Sequence, residues 1–344
     1  METCRVPSHW PPIKCRFEQT SSFRAATSCC FPPNAKKLGD HSMDDRMFIL
    51  GMGFVGQFFA ADVKNKGWVV SGSCTSSAKK KELEELGYQA FVFDANDPLR
   101  EILEIVKYHT HLVISIPPLK GLGDPLLCHK DLVESIWNSG RLRWLVYLSS
   151  TRLKSSRKYA TLLHDSYQVN PASELARARL TAEEEWLRLG RNLGIAAQVF
   201  RLGGIYGPGR SAVDTILKQL PLSSGQKMRH SKRFTSRVHV ADICQALHAS
   251  ISKPAAGKIY NIVDDDPAPR EEVFELAHKL VDEKFPGRIN LHISSEREKS
   301  LIMDKISGRG EKRVSNARMK KELGVKLIHP TYTSGLQSII KQID

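Results

Sequence analysis

A glycine-rich turn, Gly51-Met52-Gly53-Phe54-Val55-Gly56, constrains the fold of this chain more than any other segment. It follows a short apolar run at residues 47–50 and precedes a helical pattern of apolar residues at 57–63. In a G-x-G-x-x-G turn the first glycine permits a tight bend, the second lets the backbone approach a pyrophosphate, and the third lets helix and strand pack closely. The helix adds unpaired N–H groups and its positive dipole end. The pattern predicts a dinucleotide site at Gly51, Gly53, Phe54, Val55 and Gly56. A purely structural turn is the alternative.

Apolar runs alternate with helical segments from this turn to residue 205. The predicted strands lie at residues 47–50, 68–73, 89–93, 111–116, 144–149 and 195–200. Helices are predicted between them, including one that Ser173 can cap and that ends near Leu189. Such alternation indicates an α/β fold of Rossmann type, in which a doubly wound parallel sheet is covered on both faces.

The regular alternation ends after residue 205. Helices are predicted near 241–252 and 270–281, among short strands and loops. We therefore predict a Rossmann domain at residues 46–205 and a smaller α+β substrate-binding part at 206–344, intertwined with the first.

The first 45 residues differ in composition from the rest. Residues 1–39 contain six basic side chains but two acidic ones, and serine, threonine, proline and cysteine fill much of the remainder. A basic, hydroxyl-rich and acid-poor leader is typical of organelle transit peptides, and this one is closer to the chloroplast type. An ordinary disordered tail is the alternative. We expect residues 1–45 to be a transit peptide and the protein to lie in the chloroplast stroma.

The net charge of +14 indicates phosphate-bearing partners. Residues 1–45 contribute only +1, so +13 remains in the other 299 residues. A small substrate that carries a phosphate or nucleotide would suit this charge, and so would RNA.

One segment, residues 225–237, is strongly basic, and a solvated loop, a phosphate pocket or an RNA surface would all explain it. Its single aromatic residue, Phe234, weakens the RNA hypothesis because bases need stacking partners. The basic residues of this segment are Lys227, Arg229, Lys232, Arg233 and Arg237.

Two other kinds of protein are disfavoured. No apolar stretch approaches the ~20 residues that span a bilayer, so no membrane span is predicted. The seven cysteines form no C-x-x-C pair, which argues against a disulfide framework and against a structural zinc site. We predict no metal site, and we expect the acidic run at residues 264–266 to be a solvated turn, with metal binding as the less favoured alternative.

The segment after the second predicted strand bears on the choice of cofactor. NAD-binding proteins place an acidic residue about 20 residues past the glycine turn to bind the ribose 2′-hydroxyl. Here no acid occurs between Ser73 and Glu82, and hydroxyls and lysines take its place. These groups favour NADP over NAD, because a carboxylate would repel a 2′-phosphate. A helix start with exposed lysines is the alternative. The residues predicted near the 2′-phosphate are Thr75, Ser76, Ser77 and Lys79.

Four segments together resemble the extended short-chain dehydrogenase/reductase superfamily, in its NAD-dependent epimerase/dehydratase branch. They are the glycine turn, Tyr147-Leu148-Ser149-Ser150-Thr151, Arg201-Leu202-Gly203-Gly204-Ile205-Tyr206-Gly207-Pro208-Gly209 and Arg237-Val238-His239-Val240-Ala241-Asp242. The resemblance covers roughly residues 46–340, and with the leader it is to a plant chloroplast member. It implies that Asp94 lies near the adenine and that Ser115, Ile116 and Pro117 lie near the nicotinamide ribose. It also implies a substrate side at Tyr206 and Arg237 and a buried structural role for His239.

The chain departs from that family at the catalytic pair, a tyrosine followed by a lysine four residues later. No tyrosine after the leader has lysine at that spacing. Counting back from Glu183, which resembles the glutamate after the lysine, places Arg179 at the lysine and Leu175 at the tyrosine. Leucine cannot transfer a proton, and arginine stays charged. The catalytic candidates are Ser149, Ser150, Thr151 and Arg179.

Three functions therefore remain open. The first is an atypical NADP-dependent oxidoreductase or epimerase. The second is a non-catalytic NADP-binding protein with a regulatory or assembly role. The third is an RNA-associated chloroplast protein.

Overall fold

A computed structural model describes residues 45–94, 100–151, 162–163, 171, 173–218, 234–287 and 313–343. The strands in this part of the chain are β1 (Arg46–Leu50), β2 (Val69–Cys74), β3 (Gln89–Val92), β4 (His111–Ile114), β5 (Trp144–Ser150), β6 (Leu162–Leu163), β7 (Ala196–Leu202), β8 (Gly204–Tyr206), β9 (Arg237–His239), β10 (Lys258–Ile262) and β11 (Arg313–Val314). The α-helices are α1 (Phe54–Asn65), α2 (Ser77–Glu85), α3 (Arg100–Lys107), α4 (Lys130–Trp137), α5 (Glu174–Asn192), α6 (Ala212–Leu217), α7 (Val240–Ser252), α8 (Arg270–Lys284) and α9 (Tyr332–Lys341).

Seven of these strands form one parallel sheet in the order β10-β7-β5-β4-β1-β2-β3. The chain thus moves outward from β1 to one edge and then returns to build the other, as a doubly wound sheet does. The predicted α/β fold with a parallel sheet of Rossmann type is confirmed.

Helices cover both faces of the sheet. On one face Met47 and Ile49 pack with Phe59 of α1 and Ile243 of α7. On the other, Phe48, Leu50 and Tyr147 belong to a cluster with residues of α3, α4 and α5. Because neighbouring residues of β1 point into two different buried layers, its sequence is apolar throughout rather than alternating.

The predicted helix after Ser173 is α5, and Ser173 caps it. The Ser173 hydroxyl accepts a hydrogen bond from the backbone N–H of Ala176 at 3.2 Å. Trp186 of this helix is fully buried between the helix and the sheet. The cap and the apolar face together fix where α5 begins relative to β5 and β7.

The chain after residue 205 contributes to the main sheet and also forms smaller units. β10 pairs with β7 at the sheet edge, whereas β8 pairs with β9 and β11 with β6 in separate two-stranded ladders. Residues of α6, α8 and α9 form a third apolar cluster.

The proposed boundary at residue 205 stays a prediction. The leader lies outside the described residues except for Asp45, and its role also stays a prediction. Within the described ranges, no helix combines the length and apolar character that crossing a lipid bilayer requires.

Candidate functional site

The glycine turn lies at the carboxyl end of β1, and a residue of β2 holds its shape. The backbone N–H of Gly51 donates to the Ser73 hydroxyl at 3.0 Å, and that of Met52 donates to the Ser73 carbonyl at 2.7 Å. Gly51 has a φ of 99°, a left-handed conformation that glycine adopts without strain. Ser73 therefore fixes the bend that leads from β1 to α1.

The three glycines of the turn have different surroundings. A Cβ added at Gly51 would lie 2.9 Å from Cγ2 of Ile116, and one at Gly56 would lie 2.5 Å from the Gly51 carbonyl oxygen. Gly53 is exposed, and a Cβ added there would meet no atom of the described residues within 4 Å. The first and third glycines thus permit close packing, whereas the second leaves a bare backbone open to a ligand.

This open backbone fits a pyrophosphate. Gly53 is the N-cap of α1 and has no side chain that could cap the helix. The first N–H groups of a helix have no intrahelical acceptors, so Phe54 and Val55 can donate to phosphate oxygens. The residues predicted from the glycine pattern therefore leave helix N–H groups available, and their binding of a dinucleotide stays a prediction.

The segment after β4 lies against the same turn. The N–H of Ser115 donates to the Leu50 carbonyl at 2.9 Å, which continues the pairing of β4 with β1 beyond the strand end. Ile116 then contacts Gly51, and Pro117 is exposed. The structure thus places Ser115, Ile116 and Pro117 beside the turn, at the same edge of the sheet.

The segment after β2 lies at this edge too. Thr75, Ser76 and Ser77 are exposed, and the Ser76 hydroxyl caps α2 by accepting from the Lys79 N–H at 3.2 Å. The Lys79 ammonium lies 2.6 Å from a Glu82 carboxylate oxygen, so the charge of this lysine is partnered. The first turn of α2 contains no acidic residue.

Asp94 is exposed beside the same segment. The N–H of Phe93 donates to the Cys74 carbonyl at 2.8 Å, which brings the residue after it close to the end of β2. Asp94 and Thr75 therefore both follow neighbouring strands at the carboxyl edge of the sheet.

The catalytic candidates lie at the carboxyl end of β5. Ser149 is buried, and its hydroxyl has no hydrogen-bond partner among the described residues. Thr151 donates to the Leu202 carbonyl at 3.3 Å. Ser149 pairs in register with Arg201 of β7, whose guanidinium forms a buried bidentate ion pair with Glu183 of α5 at 2.6 to 3.0 Å. This pair fixes α5 against β7, the neighbour of the strand that carries Ser149 and Ser150.

The helix position that resembles the family's catalytic tyrosine has no proton-transferring group. Leu175 lies in the first turn of α5 with 41% of its surface exposed, and Arg179 follows one turn later. Arg179 lies close enough to Tyr147 to favour that phenol's ionisation, but burial raises the pKa of Tyr147 far more. Tyr147 is fully buried, so it is not a substitute proton donor. Tyr159 and Tyr167 lie outside the described residues.

The predicted substrate-side residues belong to the β8–β9 ladder and are largely buried. The Tyr206 hydroxyl faces the Thr331 carbonyl at 3.5 Å, and burial raises its pKa. Arg237 donates through Nη2 to the Thr235 hydroxyl at 2.7 Å and to the Ala268 carbonyl at 2.9 Å. Its Nη1 has no hydrogen-bond partner in the described part of the chain.

Asp264 joins this group, and the expectation of a solvated turn at 264–266 is wrong for it. Only 2% of its surface is exposed, and no described side chain donates a hydrogen bond to its carboxylate. Burial raises the pKa of Asp264 to about 8, and Arg237 opposes that rise. The cause of the burial is its place two residues after β10, where its N–H donates to the Arg237 carbonyl at 2.7 Å.

The sequence reasoning missed two residues that contact the glycine turn or the start of α1. Ser73 hydrogen-bonds the glycine turn, and a hydroxyl within a largely apolar strand is a signal that could have indicated this role. The guanidinium of Arg210 lies over the ring of Phe54. Nothing in the sequence predicts this contact except that Arg210 follows the Tyr206-Gly207-Pro208-Gly209 segment. His239 is buried, as the resemblance implied, and its Nδ1 accepts from the Ala241 N–H at the start of α7.

Two further predictions concern metal ligation and the basic segment. Over the described ranges, no group of three or more His, Cys, Asp and Glu side chains could hold a metal ion. Of the basic residues at 225–237, only Arg237 is described, so the RNA-binding hypothesis stays a prediction.

Comparisons with known proteins agree with this fold. No family model matches the chain. Protein YeeZ of Escherichia coli K12 is 25% identical over 224 residues, which cover 63% of this chain and 77% of YeeZ. A functionally unknown conserved protein from Silicibacter pomeroyi has a solved structure with 25% identity and a TM-score of 0.65, covering 86% of this chain and 98% of that one. The dTDP-glucose 4,6-dehydratase of Bacillus anthracis, solved in complex with NAD, has 17% identity and a TM-score of 0.66, covering 86% and 96%. The chain thus has the Rossmann-type fold seen in epimerase/dehydratase structures.

Proposed function

We propose that this chain binds a nicotinamide dinucleotide at the start of α1 and acts on a small phosphate- or nucleotide-bearing substrate, as an atypical member of the epimerase/dehydratase group. The observation that carries the proposal is the open backbone at Gly53, held by Ser73 and flanked by close-packed glycines. The dehydratase of B. anthracis, with the same fold, was solved with NAD.

In this proposal the residues at the carboxyl edge of the sheet bind different parts of the cofactor and the substrate. The N–H groups of Phe54 and Val55 bind the pyrophosphate, and the segment at 115–117 contacts the nicotinamide ribose. When bound, the nicotinamide supplies a hydride donor or acceptor. In this proposal Ser149 and Ser150, the last residues of the neighbouring strand β5, hydrogen-bond a substrate hydroxyl or carbonyl beside the nicotinamide. Arg237 provides a positive charge on the substrate side.

We further propose that the preferred cofactor is NADP. The support is the absence of an acid in the first turn of α2, together with three exposed hydroxyl residues at the end of β2. A 2′-phosphate at this place would meet hydroxyl donors and a helix N-terminus rather than a carboxylate.

Fluorescence titration of the full chain with NADPH and NADH tests the binding proposal through the variant Gly53→Ala. The added methyl has free space in the protein, and the backbone φ of −79° suits alanine, so the free energy of unfolding should change by less than about 1 kcal/mol. The methyl would nevertheless occupy the place of the phosphate, and we expect affinity to fall by about tenfold or more.

Two further variants control this experiment. Asn65→Ala, at the other end of α1, should bind as the wild type does. Gly56→Ala should instead destabilise the fold, because its methyl would lie 2.5 Å from the Gly51 carbonyl oxygen. Binding of neither dinucleotide by the wild type, or equal binding by Gly53→Ala, would refute the proposal.

A non-catalytic NADP-binding protein is the second candidate, and Leu175 is the observation that favours it. NADPH absorbance in the presence of sugar nucleotides separates the two. Consumption of NADPH, or conversion of a sugar nucleotide detected by chromatography with the dinucleotide regenerated, supports the enzyme if Ser149→Ala abolishes it, whereas binding of NADPH with neither change supports the second candidate.

For the cellular location we propose the chloroplast stroma, supported by the composition of residues 1–45. A fluorescent protein fused behind this leader tests it, and fluorescence that stays outside plastids would refute it.

A further inference from the structure

The loop between β8 and α6 holds Arg210 in a fixed place. The N–H of Gly207 donates to the Arg210 carbonyl at 3.2 Å, and the N–H of Arg210 donates to the Gly207 carbonyl at 3.0 Å. Gly209, with a φ of 80°, makes the turn between them possible. Ser211 then caps α6 by accepting from the Asp214 N–H at 3.1 Å. The backbone at Arg210 is therefore anchored on both sides.

This loop packs directly on the first residue of α1. A Cβ added at Gly207 would lie 3.3 Å from Cζ of Phe54 and 2.6 Å from Cγ1 of Val240. The guanidinium carbon of Arg210 lies 5.3 Å from the centroid of the Phe54 ring, within the range of a cation–π contact. Phe54 also provides one of the N–H groups that face the predicted pyrophosphate.

The charge of Arg210 is not neutralised by any group of the described residues. Arg201 and Arg188, by contrast, each pair with a glutamate. Arg210 is exposed, and its guanidinium lies over the Phe54 ring, a contact that uses none of its five N–H groups as a hydrogen-bond donor. A cation held in this way beside an anion site has donors ready for phosphate oxygens.

We infer that Arg210 is a further ligand of the dinucleotide's pyrophosphate, placed beside the backbone of Gly53 and Phe54 by the loop after β8. The inference rests on the proposed function, since it needs a dinucleotide at the start of α1. The helix N-terminus provides neutral N–H donors, and Arg210 adds a full positive charge to them. It would also connect the chain after residue 205 to a ligand bound by the chain before it.

The test measures dissociation constants for Arg210→Met and Arg210→Lys with three probes. NADPH and 2′-phospho-ADP-ribose contain the pyrophosphate, whereas adenosine 2′-monophosphate does not. We expect Arg210→Met to weaken binding of the first two by about tenfold and to leave the third unchanged, with Arg210→Lys in between. Added salt should weaken NADPH binding more in the wild type than in Arg210→Met.

Arg191→Met is the matched control. Arg191 is exposed in the last turn of α5, which leads to the amino end of β7, so it lies at the opposite edge of the sheet. Denaturant unfolding confirms that each variant is folded.

The possible contrary results are distinct. If the wild type binds NADPH and Arg210→Met binds it equally well, the inference fails while the proposed function stands. If adenosine 2′-monophosphate is weakened as much as NADPH, Arg210 contacts a different phosphate and the inference also fails. If the wild type binds no dinucleotide, the proposed function itself is refuted.

Discussion

At the scale of single residues, the end of β2 is where one side chain would decide between two dinucleotides. Thr75 is exposed directly after the strand, and the α2 start beside it contains no carboxylate in its first turn. We expect Thr75→Asp to weaken NADPH binding by about tenfold or more, because the new charge repels a 2′-phosphate. NADH carries no such phosphate, and its affinity should change by less than about threefold. Fluorescence titration of both dinucleotides measures the ratio.

The control for this substitution is Ser135→Asp, which makes the same charge change on an exposed position of α4. It should leave both affinities as they are in the wild type. An equal loss of NADPH and NADH affinity in Thr75→Asp would contradict the preference, because it would indicate general damage to the site rather than recognition of the phosphate.

At the scale of helices and strands, the buried ion pair between Glu183 and Arg201 joins α5 to β7. Both side chains are at most 3% exposed, and the contact is bidentate. We expect Glu183→Gln to destabilise the protein by about 3–5 kcal/mol, because it leaves the buried Arg201 charge unpaired. Replacing both residues by methionine should cost much less than the sum of the single changes.

Urea unfolding followed by tryptophan fluorescence measures these free energies, and buried Trp186 places a probe on α5 itself. Additive effects of the two substitutions would contradict the interpretation. They would mean that α5 is held to the sheet by its apolar face alone, with Trp186 as the main contact.

An element could be predicted from the sequence when neighbouring residues determine it, and could not when distant segments do. Six of the seven strands of the Rossmann sheet were predicted because each is an apolar run, whereas β10 was not predicted as a strand. Helix α5 was predicted because Ser173 begins it and its apolar residues repeat at helical spacing. The β8–β9 ladder was not specified, because its three-residue strands pair across about 30 intervening residues. No local pattern encodes such a contact.

The same distinction applies to the candidate site. The glycine turn depends on three residues close together in the sequence, so the positions of Gly51, Gly53 and Gly56 could be predicted from the sequence alone. Asp264 and Arg210 could not, because their surroundings come from distant segments: Arg237 for the first and Phe54 for the second. Burial of a carboxylate is a property of the folded arrangement rather than of an acidic run.

At the scale of the whole molecule, buried histidines and a buried carboxyl group give opposite dependences of stability on pH. Burial lowers the pKa of His109 and His111 to about 4 and that of His239 to about 3. Since an unfolded histidine titrates near 6.5, these three groups reduce stability as the pH falls below that value. Asp264 acts in the other direction, because its pKa is raised rather than lowered.

The sign for Asp264 follows from proton binding. Between its ordinary pKa of 3.8 and about 8, the folded protein keeps this carboxyl protonated while the unfolded chain releases the proton. The free energy of unfolding of the wild type should therefore fall, relative to that of Asp264→Asn, by up to about 1.4 kcal/mol for each pH unit across this window. Urea unfolding of both proteins at several pH values measures the difference, in which the histidine contributions cancel. A difference that stays constant with pH would mean that the buried carboxylate is ionised beside Arg237. The substrate side would then present an ion pair rather than a guanidinium without a charged partner.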